Sequence, residues 1–235
     1  MTVKRAMLAA AALIAVPVLV HAAEDGLQER KVIDRFGDCA VDIDAAGSRE
    51  VVVGDLEGKD IFEKHKNLVS PKCLPDTVGR GIRLRFDNVA LKAALAQALF
   101  RRELASVAAP EVAAVPPLTH REPTPVVTVD KKTGKPLSAK AIAAQEEAVA
   151  RKTLDLQVSR VGECVARKNM AAARAVLLTP IGGDEEMAAL RATAPVLATC
   201  IATGQQVRFD RMALRNTLAI NYYRLASAAL ANRGG

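Results

Sequence analysis

The spacing of apolar residues along most of the chain is that of helices that bury one face. Val32, Phe36 and Cys39 recur every three or four residues, which places them on one side of a helix. A short β-like run precedes the last helical pattern of each half, at 82–86 and 206–209. The pattern as a whole predicts an all-α fold.

Polar residues that cap helices divide this pattern into shorter elements. An Asp or Asn side chain at the start of a helix accepts a backbone N–H of the first turn that otherwise has no partner. Four such residues mark helix starts: Asp44 before 45–53, Asn169 before 170–178, Asp60 before a helix toward Val69, and Asp184 before a helix with Glu185 and Glu186 in its first turn. A longer helical pattern runs from Ser138 to about Lys168.

The line RFDNVALKAALAQALFR, which begins at Arg85, returns almost unchanged as RFDRMALRNTLAINYYR at Arg208. In both versions an aspartate is placed to cap a helix, and the phenylalanine before it is placed to pack on the first turn. Three apolar residues at helical spacing then form a stripe. In order, these are Phe86, Asp87, Leu91, Leu95 and Leu99, and then Phe209, Asp210, Leu214, Leu218 and Tyr222. Each line predicts a capped helix with one buried face.

The match between the two halves extends upstream of this line. RFGDCAVDIDAAGSREVVV from Arg35 aligns without a gap with RVGECVARKNMAAARAVLL from Arg160, so that glycine meets glycine and cysteine meets cysteine. The repeat has a period of about 125 residues, whereas the units of a solenoid are much shorter, at roughly 20–50 residues. We therefore predict two duplicated small helical domains with about four helices each. The first copy spans 27–104, and the second copy, with its long helix, spans 138–233.

The segment between the copies, 105–137, has the composition of a Pro/Ala-rich linker. It contains no aromatic residue, and its prolines block regular helix: they are Pro110, Pro116, Pro117, Pro123, Pro125 and Pro136. We expect a semi-extended chain that is partly polyproline II, with a turn at 131–135.

The four cysteines lie at matched positions, two in each copy. In a small exported domain, such cysteines are typical of disulfides that supplement a modest core. Three pairings are possible. The duplication favours Cys39 with Cys73 and Cys164 with Cys200, so that each bridge closes within its own copy.

The first residues have the features of a secretory signal peptide. A Lys-Arg pair precedes an apolar run at 6–20 that is short and Ala-rich for a membrane span. The alternative is an uncleaved membrane anchor. The sequence VHA at 20–22 fits a cleavage site, which predicts removal of 1–22 and a mature chain that begins at Ala23. We expect no transmembrane span after this removal and a periplasmic or secreted location.

The formal net charge is +7, and the second copy has the larger excess of basic residues. This excess favours anionic partners such as envelope lipids or polymers; the alternative is ordinary solubility charge. Nucleic acid is a poor match because the chain has no Trp and only 3% aromatic residues. Arginines at matched positions in both copies are candidate anion-binding residues, the alternative being structural ion pairs: Arg49, Arg85, Arg101, Arg174, Arg208 and Arg224.

No pattern in the chain indicates catalysis, a metal or a cofactor. There is no Walker loop, no G-x-S-x-G elbow and no H-E-x-x-H. The cysteines are assigned to disulfides, and His65 and His120 lie in polar stretches where we expect them to be solvated. Asp42 and Asp44 lack the further ligands of a calcium loop. We therefore expect no catalytic residue, no metal site and no cofactor.

The G-[DE]-C start, the second cysteine and the R-F-D-x-x-A-L line occur in both copies but not in the linker. This combination resembles a group of signal-peptide-bearing helical proteins of Gram-negative bacteria with duplicated two-cysteine domains. The resemblance implies a secreted helical fold and supplies no known function and no catalytic residue.

These observations favour a periplasmic, non-enzymatic binding or scaffolding protein of the cell envelope. Its expected partner is an envelope protein or an anionic envelope component. The alternative is a secreted, hydrolase-like enzyme whose polar site forms only where the two domains meet. A concave pocket with convergent polar groups would favour the enzyme.

Overall fold

The computed structural model of the protein describes residues 20–74, 87–202 and 209–233. None of these residues forms a β-strand, so the predicted all-α fold is confirmed. None of the described helices is long and apolar enough to cross a bilayer. The described helices are α1 (Val20–Ile43), α2 (Ala45–Val53), α3 (Lys59–Lys64), α4 (Asn88–Leu99), α5 (Ala139–Lys168), α6 (Met170–Leu178), α7 (Asp184–Ala198) and α8 (Arg211–Ala231). Two 3₁₀ turns, Lys66–Val69 and Pro71–Cys73, follow α3, and a π-helical turn, Phe100–Leu104, continues α4.

Four of the predicted caps are confirmed. In each, the side-chain oxygen accepts the backbone N–H three residues later at 2.7–2.9 Å: Asp44 at α2, Asp87 at α4, Asn169 at α6 and Asp210 at α8. The helix expected from Asp60 to Val69 was wrong in extent. Gly58 precedes α3 with a φ of 47°, and His65 leaves the helical conformation, so the chain continues in a separate 3₁₀ turn. The β-like run 82–86, which includes Phe86, lies outside the described residues, as do residues 206–208 of the other run.

Helices α4 and α8 form the centre of the molecule. Helix α4 packs on α1 and α2, α8 packs on α5 and α6, and α4 and α8 pack on each other. The ring of Phe100 meets the ring of Tyr222 edge to face across this contact, with centroids 5.4 Å apart. One hydrophobic cluster contains buried residues of both copies. Because they share this core, the division into two separate domains is not confirmed.

The closing helices bury more than the predicted apolar stripes. Every residue from Leu91 to Leu99 is buried, as are most residues from Leu214 to Ala226. The stripe positions lie in the core as predicted. The remaining faces are also covered, because each closing helix packs on its own copy and on the closing helix of the other copy.

Two glycines that match in the repeat permit close helix crossings. A Cβ on Gly37 of α1 would collide with the backbone oxygen of Ala94 in α4. A Cβ on Gly162 of α5 would collide with Oγ1 of Thr217 in α8. Ala94 and Thr217 occupy the same position in the two repeated lines. The duplicated glycines therefore set the same close approach in each copy.

Both predicted disulfides are confirmed. Cys39 of α1 is bonded to Cys73 at the end of the second 3₁₀ turn, with Cα atoms 5.5 Å apart. Cys164 of α5 is bonded to Cys200, just after α7, with Cα atoms 5.8 Å apart. In each copy the bridge ties the first long helix to the chain just before the segment that leads to the closing helix.

The first part of the segment between the copies is packed against the second copy. Val112 and Val115 are buried. The guanidinium of Arg167 in α5 donates to the carbonyl oxygens of Val115 at 2.8 Å and Pro116 at 2.5 Å. The linker bounds 105–137 stay a prediction. Residues 112–116 of this segment are held by α5 and do not form a free tether.

The rest of this segment and the start of α5 form an arm, defined here as residues 123–147. No residue in it is buried. Val129 and Pro136 form an isolated antiparallel bridge around a turn, which confirms the turn predicted at 131–135. Gln145 of α5 holds the arm together by bonding to the backbone of Val127 at 3.0 and 3.2 Å.

Candidate functional site

The two copies and the linker meet around a small cavity of about 60 Å³. Helix α4 contributes Lys92, α5 contributes Asp155 and Ser159, α8 contributes Thr217, and the linker contributes His120. This volume holds a few water molecules, whereas pockets for drug-sized ligands measure roughly 300–1,000 Å³. The cavity therefore has the convergent polar groups of a site but not the size of a substrate pocket.

A buried ammonium group lies on one side of the cavity. Lys92 is 5% exposed, and it forms an ion pair with Asp55 and a longer one, 3.4 Å, with Glu57. Glu57 also pairs with Lys152 of α5 at 2.5 Å. The carboxylates therefore neutralise the buried charge and join the first copy to α5. Burial raises the pKa of Asp155, and Lys152 opposes that shift.

His120 lies on another side of the cavity, between two side chains of α5. Its Nδ1 is 3.0 Å from Oγ of Ser159, and its Nε2 is 2.6 Å from Oε2 of Glu163. The expectation that His120 is solvated was wrong, since its side chain is only 7% exposed. The linker brings it against α5 because the backbone N–H of Leu118 also donates to Glu163, at 2.9 Å.

Glu163 is the centre of this polar cluster. Burial raises its pKa, but the Leu118 N–H, His120 and Arg167 all favour the charged form. Their combined effect is stronger, so the pKa of Glu163 lies below its ordinary value. The ionised carboxylate therefore fastens the linker to α5 through two linker residues.

A serine, a histidine and a carboxylate in hydrogen-bond contact are also the parts of a hydrolytic triad. Three features weigh against that chemistry. The ring nitrogens are used in the opposite order from serine proteases, where the serine bonds Nε2. Ser159 lies inside α5, where backbone N–H groups bond within the helix and cannot stabilise an oxyanion. Glu163 is shared with Arg167. The arrangement is better explained as a structural contact that joins the linker to α5.

The position equivalent to Lys92 in the second copy also carries a buried cation. Arg215 of α8 is 2% exposed, and it donates to Oε1 of Gln97 in α4 at 2.6 Å. It pairs with the fully buried Glu186 at 3.3 Å, and Arg30 of α1 pairs with the same carboxylate at 2.5 Å. Burial lowers the pKa of Arg215, and Glu186 opposes this shift. Each closing helix thus contributes one buried cation at the contact between the copies.

The arginines proposed for anion binding are not brought together. Those described are held by groups of the protein itself: Arg49 pairs with Glu103, Arg101 with Asp34 and Asp38, Arg174 donates to the carbonyls of Ala105 and Val107, and Arg224 to that of Thr119. Arg85 and Arg208 lie outside the described residues. The Nε of the buried Arg224 has no hydrogen-bond partner among the described groups.

Other contacts were missed by sequence reasoning. Glu103 also accepts a hydrogen bond from Tyr223 Oη at 2.7 Å, which joins the π-helical turn after α4 to α8. Burial raises the pKa of Tyr223, and Glu103 raises it further. His65, expected to be solvated, has a side chain only 10% exposed and lies 3.3 Å from Glu50. The buried cations Lys92 and Arg215 could have been found from the sequence. Both repeated lines place a basic residue at this matched position, inside an otherwise apolar stretch.

Comparison of the chain with protein-family models, with curated proteins and with solved structures gives no match. The resemblance to duplicated two-cysteine proteins of Gram-negative bacteria therefore stays a prediction.

Proposed function

We propose that the protein is an exported, non-enzymatic binding or scaffolding protein that acts in the periplasm as part of the cell envelope. The observation that carries this proposal is the pair of disulfides, Cys39–Cys73 and Cys164–Cys200, at matched places in one shared core. Structural disulfides persist in oxidising compartments and rarely in the cytosol. A rigid body fastened in this way suits a protein that presents surfaces outside the cytosol.

The position of the predicted cleavage site is compatible with this proposal. The side chain of Leu27 packs against Gly182, and Arg30 pairs with Glu186. Both contacts lie after the expected mature start at Ala23. Removal of 1–22 would therefore leave the contacts between α1 and the second copy in place.

The use of the charged residues supports binding rather than chemistry. The buried cations, His120 and Glu163 are each engaged in contacts that join one part of the chain to another. The cavity among them, about 60 Å³, is small for a substrate. Contact with a partner would then fall to the outer surface, where the arm is the least buried part of the described chain.

The test starts from cells that express the full chain with its leader. The protein recovered by osmotic shock should be oxidised, should retain an envelope component on a column, and should bind the same purified component in a direct titration. Reduced and alkylated protein is the control, and it should not bind. Recovery of reduced protein in the cytosol would contradict the proposal. So would time-dependent chemical conversion of the retained component.

A second candidate, the hydrolase, is favoured by one specific observation, the hydrogen-bonded series Ser159–His120–Glu163 at the junction of the copies. A fluorophosphonate probe tests it because the probe bonds covalently to activated serines. Under the main proposal, labelling of the wild-type protein equals that of Ser159→Ala. Labelling of Ser159 that is lost in Ser159→Ala would replace the binding proposal with the enzyme.

A further inference from the structure

We propose that the tip of the arm, residues 127–140, is a contact surface for an anionic lipid bilayer. This inference rests on the proposed function and names the partner class for it. The tip contains the hairpin turn and the first residues of α5. It stands away from the core, because no residue of the arm is buried.

The tip concentrates positive charge that nothing nearby neutralises. Lys131, Lys132, Lys135 and Lys140 are all exposed. Within the described part of the chain, none of their ammonium groups has a carboxylate partner within 4.0 Å. Outside the arm, several partly exposed basic groups are instead paired, as Arg101 is with Asp34 and Asp38. These lysines are therefore free to meet an external anion.

The single acidic residue of the tip is used to build the turn. The carboxylate of Asp130 accepts the backbone N–H groups of Lys132 at 2.9 Å and Thr133 at 2.8 Å. These bonds lower the pKa of Asp130, so it stays ionised. Gly134 closes the turn with a φ of 67°, a conformation that favours glycine. The turn thus presents the lysines on a preformed loop, which reduces the conformational entropy lost on binding.

Apolar side chains lie beside the lysines. Val127 and Val129, on either side of Thr128, are 37% and 46% exposed. Pro136 is bridged to Val129 and is also exposed. Lysines next to exposed apolar groups suit a bilayer, where the charges meet the headgroups and the apolar groups enter the boundary below them. A soluble polyanion offers no such boundary, and the tip has no aromatic residue for stacking on bases.

The test uses the exported protein and vesicles of phosphatidylcholine with or without phosphatidylglycerol. Wild-type protein should sediment with the anionic vesicles at low salt and be released as salt is raised. The tip variant Lys131→Gln/Lys132→Gln/Lys135→Gln should bind about 100-fold more weakly, at roughly fivefold per lysine.

The control variant Lys64→Gln/Lys66→Gln/Lys72→Gln removes the same charge from exposed lysines of the first copy. It should lose no more than about threefold, because its lysines lie on α3 and the two 3₁₀ turns and not on the tip. Val127→Ser/Val129→Ser should also weaken binding.

Equal losses in the two lysine variants would overturn the inference, since net charge alone would then explain binding. Failure of the wild-type protein to bind anionic vesicles would overturn it too. Binding of the wild-type protein to an anionic polysaccharide but not to vesicles would also overturn the inference. In those cases the proposed function stands as long as the exported protein still binds a purified envelope component. Recovery of the chain in the cytosol would instead defeat the proposed function itself.

Discussion

Arg215 of the second copy donates a hydrogen bond from Nε to Oε1 of Gln97 in the first copy, at 2.6 Å, in the middle of the core. Both side chains are at most 5% exposed. A buried guanidinium requires partners from several directions, and here α4, α6 and the start of α7 all supply them. The bond therefore fixes how the two copies sit on each other.

Replacing Arg215 with methionine should destabilise the whole protein. The substitution leaves Gln97 and part of the Glu186 carboxylate without partners in the core, which costs about 3 kcal/mol of unfolding free energy. Urea unfolding followed by circular dichroism measures it. Arg191→Met, on the exposed side of α7, is the control and should change stability by about 0.5 kcal/mol or less. Similar losses in both variants would argue against the buried network.

Gly37→Ala should be strongly destabilising because the added methyl group meets backbone. The carbonyl of Ala94 in α4 cannot rotate away, so the helices must separate, at a cost of about 2–3 kcal/mol. Gly162→Ala should cost a similar amount, since its methyl group meets Oγ1 and Cβ of the buried Thr217, which donates to the carbonyl of Val158. Gly26→Ala is the matched control within α1. It meets nothing within 4 Å and should be neutral or slightly stabilising in thermal unfolding.

Glu163→Gln should loosen the packed linker. The neutral side chain bonds Arg167 and the Leu118 N–H more weakly, which lowers the stability of docking by about 2 kcal/mol. Hydrogen exchange at the Leu118 amide measures this opening. Glu147→Gln, which removes only an exposed pair with Arg151, should leave that exchange rate unchanged.

The same carboxylate predicts a pH dependence with a definite sign. The pKa of Glu163 is lowered in the folded protein, so its contribution to stability is present above its ordinary value of 4.5. That contribution is lost as the pH falls through the lower folded pKa. As the pH falls, the wild-type protein should lose its protection from hydrogen exchange at Leu118. Its exchange rate should therefore approach that of the Glu163→Gln variant at the same pH. Parallel pH profiles for the two proteins would show that Glu163 is not the group responsible.

Loss of one disulfide should affect both copies together. Removing Cys164–Cys200 with Cys164→Ser/Cys200→Ser frees a loop with a sequence separation of 36. In the chain-entropy model this costs about 4 kcal/mol. Because the core is shared, the protein should unfold in one transition at lower urea. Two separate transitions, one at the wild-type position, would instead support independently folded domains.

The sequence was informative where a local rule decided the structure. Asp44, Asn169, Asp87 and Asp210 cap their helices as predicted, since a cap depends on residues three positions away. The disulfide pairing followed from the repeat. The packing of α4 against α8 did not, because a stripe on one helix indicates that a face is buried but not which element covers it.

The composition of the linker likewise did not predict the polar cluster around Glu163. A histidine in a Pro-rich segment suggests solvent, and only the tertiary structure brings His120 against Ser159 and Glu163. The two α5 residues lie four apart on one helix face, which sequence does predict. Their partner comes from a segment without helical or strand periodicity, so no pattern gave its position.

Peptide mapping without reduction, on protein recovered by osmotic shock, tests export and disulfide pairing in one measurement. We expect an N terminus at or within a residue or two of Ala23, and two linked peptides that join Cys39 to Cys73 and Cys164 to Cys200. Protein that retains Met1 in a membrane-embedded product would contradict export with cleavage. Free thiols at these cysteines, or a link from one copy to the other, would contradict the oxidised body on which the proposed function rests.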